Sequence, residues 1–180
     1  MEKRLSKAKG LIAYYSRAGN NIVNGDIVYL PVGNTEVAAN MIQKLTVSDI
    51  FRIDTVETYP EGYLETTEVA KEELRQNVRP EISGHVDKMA DYNVVYLGYP
   101  NWWGTMPMAV FTFLESHDLA GKTIIPFCTH EGSGMGRSER DIKKICAGAV
   151  VLKGLAIRGG SVHGAQEEIT DWLRDLGQIN

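Results

Sequence analysis

Val94-Val95-Tyr96-Leu97-Gly98-Tyr99-Pro100-Asn101-Trp102-Trp103-Gly104-Thr105-Met106-Pro107 passes from an unbroken apolar run into a loop of aromatic and small residues. Near-continuous apolarity, without polar alternation, predicts a strand covered on both faces, as in a parallel sheet packed between helices. Helical spacing resumes at Val110, Phe111 and Leu114, with Pro107 in the first turn. Strand, loop and helix in that order form one unit of an α/β fold.

Working outward, the same unit recurs. Further strands are predicted at Leu11 to Tyr15, Ile50 to Ile53, Thr123 to Cys128, and Ala149 to Leu152 with Ala156 and Ile157. Between them run the helical stripes Val37, Met41, Leu45; Tyr63, Thr67, Ala70, Leu74; and Ile142, Ile145, Cys146. A final stripe, Ala165, Ile169, Trp172, Leu176, ends at Gly177, a residue suited to a left-handed helix stop. Five strands joined by helices predict a doubly wound α/β sheet in three α/β/α layers, with ligands bound beyond the C-terminal ends of the strands. One domain over 1–180 is expected. The anomaly is the long stretch from Ser16 to about Val32, between the first strand and the first helix.

Composition narrows the function. The chain has 180 residues, 43% hydrophobic and 23% charged, which is ordinary for a globular protein. A net charge of -4 provides no basic stripe for a phosphate backbone, so nucleic acid is not expected as a partner. The start, MEKRLSKAKG, is charged and is followed only by LIAYY, too short for a leader or a membrane span; a cytoplasmic protein with no membrane partner is expected. Cys128 and Cys146 lack metal-ligand spacing and are expected to be reduced core thiols. No metal site is expected.

Three loops carry the chemistry. The first begins Ser16-Arg17-Ala18-Gly19-Asn20 and resumes as Gly33-Asn34-Thr35-Glu36 before the Val37 stripe. Small residues at a helix start let backbone N–H groups converge on a phosphate, and Ser16, Thr35 and Asn34 add side-chain donors. The loop lacks a GKS or GKT ending and a GxGxxG fingerprint, which disfavours ATP and NAD as tightly held cofactors. A plain turn and helix cap is an equal reading of Gly33-Asn34-Thr35 by itself. In the second loop, Trp102 and Trp103 are adjacent and cannot both face the core; one is expected to present a face to a planar ligand, or both to staple the loop, and Thr105 to cap the next helix. Gly104 admits close backbone approach. The third loop, Thr129-His130-Glu131-Gly132-Ser133-Gly134-Met135-Gly136, offers free N–H groups and two hydroxyls to a polar ring edge, or is a plain connector.

In order, and each after its own strand, these motifs resemble the flavodoxin family, particularly members with a Tyr-Pro-Asn-Trp-Trp-Gly second loop and a Thr-His-Glu-Gly-Ser-Gly third loop. The resemblance spans nearly the whole chain. It implies a flavodoxin-like fold with strand order 2-1-3-4-5 and non-covalently bound FMN. It carries the phosphate loop onto Ser16 and Arg17 with Gly33, Asn34 and Thr35, split by an insertion from about Ala18 to Val32. Gly19-Asn20-Asn21 offers a competing register; Gly33 is preferred because a helical stripe follows it, whereas Ile22 to Asp26 reads as a turn. Asn20 and Asn21 stay as candidate ribityl or phosphate contacts. The resemblance further sets Pro100, Asn101, Trp102, Trp103 and Gly104 beside the reactive centre of the ring, and Thr129, His130, Glu131, Gly132, Ser133 and Gly134 at its pyrimidine edge. An acidic Glu131 pointing at that edge would disfavour the reduced anion.

The flavin would supply the redox chemistry, so no catalytic side chain is required. Three readings follow: an electron-transfer protein working between protein redox partners; an oxidoreductase taking hydride from NAD(P)H to reduce a quinone or similar small acceptor; and a binding module that keeps the site without electron transfer. The fold supports all of them.

Overall fold

The computed structural model describes residues 9–180; the charged start MEKRLSKA lies outside them. In chain order the elements are β1 (Gly10–Tyr14), β2 (Gly19–Val23), β3 (Asp26–Leu30), α1 (Asn34–Thr46), β4 (Asp49–Arg52), β5 (Asp54–Thr55), α2 (Tyr63–Gln76), β6 (Ile82–Ser83), β7 (Val94–Pro100), α3 (Met108–Glu115), β8 (Thr123–His130), α4 (Ser138–Ile145), β9 (Val150–Val151), β10 (Leu155–Arg158) and α5 (Gln166–Asp175). Among the described residues no helix is long and apolar enough to cross a membrane.

The main sheet runs β10-β8-β7-β1-β4, every neighbouring pair parallel, with β9 also pairing β8. Counting β9 and β10 as one interrupted strand, this is the expected order 2-1-3-4-5. Side chains alternate across the sheet. Leu11 and Ala13 join a core with Val110, Phe113 and Ile142 of α3 and α4, while Ile12 and Tyr14 join the opposite core with Ala39, Ile42, Ile169 and Leu173 of α1 and α5. The two cores explain why β1, β7 and β8 are buried almost throughout. Each large aliphatic side chain so buried contributes about 1.5–3 kcal/mol.

Two local departures from the sequence reading have physical causes. The fifth strand breaks at Lys153-Gly154, because the Gly154 N–H donates to Glu139 Oε1 of α4 at 2.6 Å instead of entering a ladder. The stretch after Ser16 is a two-stranded antiparallel hairpin, β2 with β3, pairing Gly19 with Leu30 and Val23 with Asp26. Its turn is only Asn24-Gly25, with φ of 53° and 91°, the left-handed pair that a tight twisted hairpin requires.

Other expectations hold. Gly177 lies at φ 68° just beyond α5. Cys128 and Cys146 are free and buried, and burial pushes their thiols up to about 12 and about 11. Neither is an activated nucleophile.

Candidate functional site

The site lies at the C-terminal ends of β1, β7 and β8. Its first wall is a split loop made whole in space. Gly33 packs so tightly on the first half that a Cβ there would stand 2.6 Å from the Arg17 carbonyl oxygen and would also overlap Ser16 Oγ. Residue 33 must therefore be glycine for close approach, not for its φ of -67°. Ser16 Oγ accepts the Glu36 N–H at 3.1 Å, supplying the α1 cap that Gly33 lacks. The N–H groups of Asn34 and Thr35, first in the helix, have no partner within α1 and carry its positive end. Arg52 braces this wall from behind, donating to the Ser16 carbonyl at 3.0 Å and pairing with Glu36 at 2.5 Å. In the competing register, Gly19-Asn20-Asn21 lies in β2.

The second wall is a turn. Trp102 and Thr105 exchange backbone hydrogen bonds of 2.8 and 3.3 Å around Trp103 (φ 55°) and Gly104 (φ 85°). A left-handed tryptophan is unusual, and this one is held outward: 47% exposed, its indole N–H donating to the Thr67 carbonyl at 2.9 Å, with Lys71 over the ring. Trp102 turns inward, edge-on to Tyr15 and Tyr59 with centroids 5.3 and 5.2 Å away. Thr105 does not cap α3; its hydroxyl donates to Asp141 at 2.6 Å.

The third wall is tied to the other two. Thr35 and Thr129 share a buried hydroxyl–hydroxyl bond of 2.7 Å. The Asn101 amide donates to the Gly134 carbonyl at 2.7 Å, and its oxygen accepts the Gly104 N–H at 2.9 Å. His130 Nδ1 accepts the Gly132 N–H at 2.9 Å, and burial, helped by Arg158, holds this imidazole below its usual range, as an acceptor nitrogen should be. Among the described residues no cluster of His, Cys, Asp and Glu can hold a metal ion.

These walls enclose a cavity of about 240 Å³ that runs into a second lobe of about 400 Å³. Arg17, Asn21, Asn101, Trp102 and Ser133 line both lobes. The first adds Asn34, Thr35, Pro100, Thr129, His130 and Glu131; the second adds Trp103 and Gly104. The remaining sequence candidates support the cavity without lining it: Ser16 and Gly33 shape the loop, Gly132 and Gly134 are used as above, and the Asn20 amide points to the Glu61 carbonyl at 3.4 Å.

Tyr63, Thr66, Thr67 and Ala70 of α2 also line the cavity, as do Ile22 and Gly159. Three of these sit in the stripe that sequence assigns to a core face, and the period alone does not say what a face meets. Among the described residues, two buried side-chain polar atoms have no protein partner, Arg17 Nε and Glu131 Oε1. Glu131 Oε2 instead accepts the Asn24 N–H at 2.8 Å, so the carboxylate is committed to the hairpin tip.

The sequence matches the family model described as flavodoxin over residues 26–176. Among solved structures, a candidate flavoprotein from Bacteroides eggerthii DSM 20697 is similar at 26% identity and TM-score 0.76, covering 94% of this chain and 98% of that one. A second, from Bacteroides uniformis ATCC 8492, gives 25% identity and TM-score 0.73 over 94% and 99%. A flavoprotein in complex with FMN from Lactobacillus acidophilus NCFM gives 21% identity and TM-score 0.64 over 89% and 99%. No curated protein matches the chain.

Proposed function

The chain belongs to the flavodoxin family, and on that premise we propose that it is an electron-transfer protein that binds FMN in the two-lobed cavity and works between protein redox partners. The phosphate would lie at the start of α1, where the Asn34 and Thr35 N–H groups are free. The ring would lie in the lobe between Trp102 and α2. The observation that carries this reading is Arg17 Nε, a buried donor in the wall common to both lobes that has no partner among the described residues. A buried cationic donor left unpaired is costly, and an anionic or carbonyl-bearing ligand removes that cost.

When bound, the flavin supplies the redox chemistry. The chain's own residues hold it. Arg17 Nη2 donates to the Pro60 and Glu61 carbonyls, 3.0 Å each, which fixes the guanidinium in the cavity wall. The Asn101 amide sets the distance between the second and third walls.

Flavin absorbance under anaerobic conditions tests the reading. FMN should bind with quenched fluorescence, and Arg17→Met should weaken it by about tenfold or more, the loss of one charge-assisted bond. NADH or NADPH should leave the oxidised flavin spectrum unchanged, while stepwise chemical reduction should build up a one-electron-reduced form. Rapid bleaching by either nucleotide would replace the carrier reading with that of an NAD(P)H-dependent reductase. A protein that ignores FMN would end both.

A further inference from the structure

Trp102 is the inner end of a short chain of two redox-capable rings and a carboxylate leading away from the cavity. Its ring meets Tyr59 edge-on at 5.2 Å and 89°, and the Tyr59 hydroxyl donates to Glu73 Oε2 of α2 at 2.7 Å. Tyr59 and Glu73 also line a crevice of about 360 Å³ whose walls, Val56, Val69 and Val78 among them, belong to neither lobe of the flavin cavity. A line from the cavity wall to a separate surface opening thus passes through an indole, a phenol and a carboxylate, each touching the next.

Nothing in binding or orienting a flavin needs that order. We propose that Tyr59 and Glu73 form a proton-coupled electron donor to Trp102, which returns Trp102 to its reduced state after it has lost an electron to light-excited flavin in the cavity. Trp102 gives one electron to the flavin excited by blue light and becomes a radical cation. The Tyr59 O–H bond then breaks, its electron refilling Trp102 and its proton passing along the 2.7 Å hydrogen bond to Glu73, which leaves a neutral tyrosyl radical and a protonated carboxyl. Return of the electron from the reduced flavin and of the proton from Glu73 restores every group.

The neighbouring Tyr15 shows why the carboxylate matters. It lies 5.3 Å from the same indole, yet among the described residues no side chain accepts a hydrogen bond from its hydroxyl. Oxidising a phenol without removing its proton creates a buried positive charge, which is costly. Tyr59 avoids that charge. Burial also raises the Glu73 carboxyl above its ordinary range, against the opposing effect of the Tyr59 bond, so its carboxylate is a stronger proton acceptor than an exposed one.

The inference uses the flavin-binding reading only for its trigger, so two arms test it. In FMN-loaded protein, a blue flash followed by transient absorption and electron paramagnetic resonance should give a neutral tyrosyl radical that forms more slowly in deuterated water. Tyr59→Phe should abolish that signal and leave only a tryptophan radical, Tyr15→Phe should retain it, and Glu73→Gln should slow its formation by about a hundredfold. In flavin-free protein carrying Trp103→Phe and Trp172→Phe, azidyl radicals from pulse radiolysis should oxidise Trp102 and the same transfer to Tyr59 should follow. If FMN does not bind, the second arm alone decides, so failure of the flavin reading and of the relay are told apart. A tyrosyl radical that survives Tyr59→Phe, formation indifferent to Glu73→Gln, or a tryptophan radical that never passes to tyrosine overturns the proposal.

Discussion

The hydroxyls of Thr35 and Thr129 are buried against each other at 2.7 Å although 94 positions separate them in the chain. One opens the first helix and the other ends β8, so this single bond closes the cavity wall between the first and third loops. Replacing either threonine by valine removes one partner and strands the other, at about 1–3 kcal/mol, whereas replacing both removes the stranded group. The double variant should therefore unfold in urea at a midpoint close to that of the single variants, not at their summed loss. A fully additive double variant would show that the bond couples nothing.

Gly33 is the tightest point of the cradle. Gly33→Ala pushes a methyl group against the Arg17 carbonyl, and the loop must spread to admit it. We expect a stability loss of about 1–3 kcal/mol, as for overpacking in a rigid contact. FMN affinity should fall more than riboflavin affinity, because the disturbed N–H groups are those proposed to hold the phosphate. Fluorescence titration with the two ligands measures that difference; equal losses would place the phosphate elsewhere.

Among the described residues, the Glu131 side chain holds the hairpin tip. Glu131→Ala removes the acceptor for the Asn24 N–H. Amide hydrogen exchange at Asn24 and across the β2–β3 ladder should accelerate several-fold, the loss of about 1 kcal/mol of local protection. Exchange in β1, β7 and β8 should not change.

Stability should weaken in mild acid through His117. Its Nδ1 pairs with the Phe113 carbonyl at 2.8 Å, which fixes that nitrogen as the donor, and its Nε2 accepts the Val86 N–H at 3.1 Å. Burial, assisted by the His85 ring stacked at 4.2 Å, lowers its pKa below 6.5, with the Phe113 bond opposing. A depressed folded-state value means that the unfolded chain binds the proton more readily. The contribution is therefore complete above pH 6.5 and is lost as pH falls through the folded value. His117→Gln should flatten that part of the stability profile, measured by urea unfolding at a series of pH values. An unchanged slope would assign the acid sensitivity to other groups.

The main sheet was legible because its strands are buried on both faces and leave unbroken apolar runs: Leu11 to Tyr15, Val94 to Tyr99 and Thr123 to Cys128 all recur as paired strands. The second and third loops were legible because they follow those strands directly. The hairpin was not, although Asn24-Gly25 is its signal. Gly19-Asn20-Asn21 is polar enough to read as loop, and its likeness to a phosphate motif competed with its pairing to β3. Tyr63 and Thr67 escaped for another reason: a helix lining a cavity has the same period as one lining a core. Glu131 was legible as a site residue, but its direction was not, since it depends on a tip that arrives from over a hundred residues away in the chain.

The contact between Gly33 and Arg17 makes the intervening excursion begin and end at one point in space. Such a segment is spliceable at its outer end: apart from Asn21 and Ile22 in the cavity wall and Asn24 at Glu131, its length can grow at only the slowly rising entropy of a longer closed loop, while the Gly33–Arg17 contact keeps its shape. The fold thus offers, beside its candidate site, a port for reporter or recognition modules whose movements would be felt at the cavity wall.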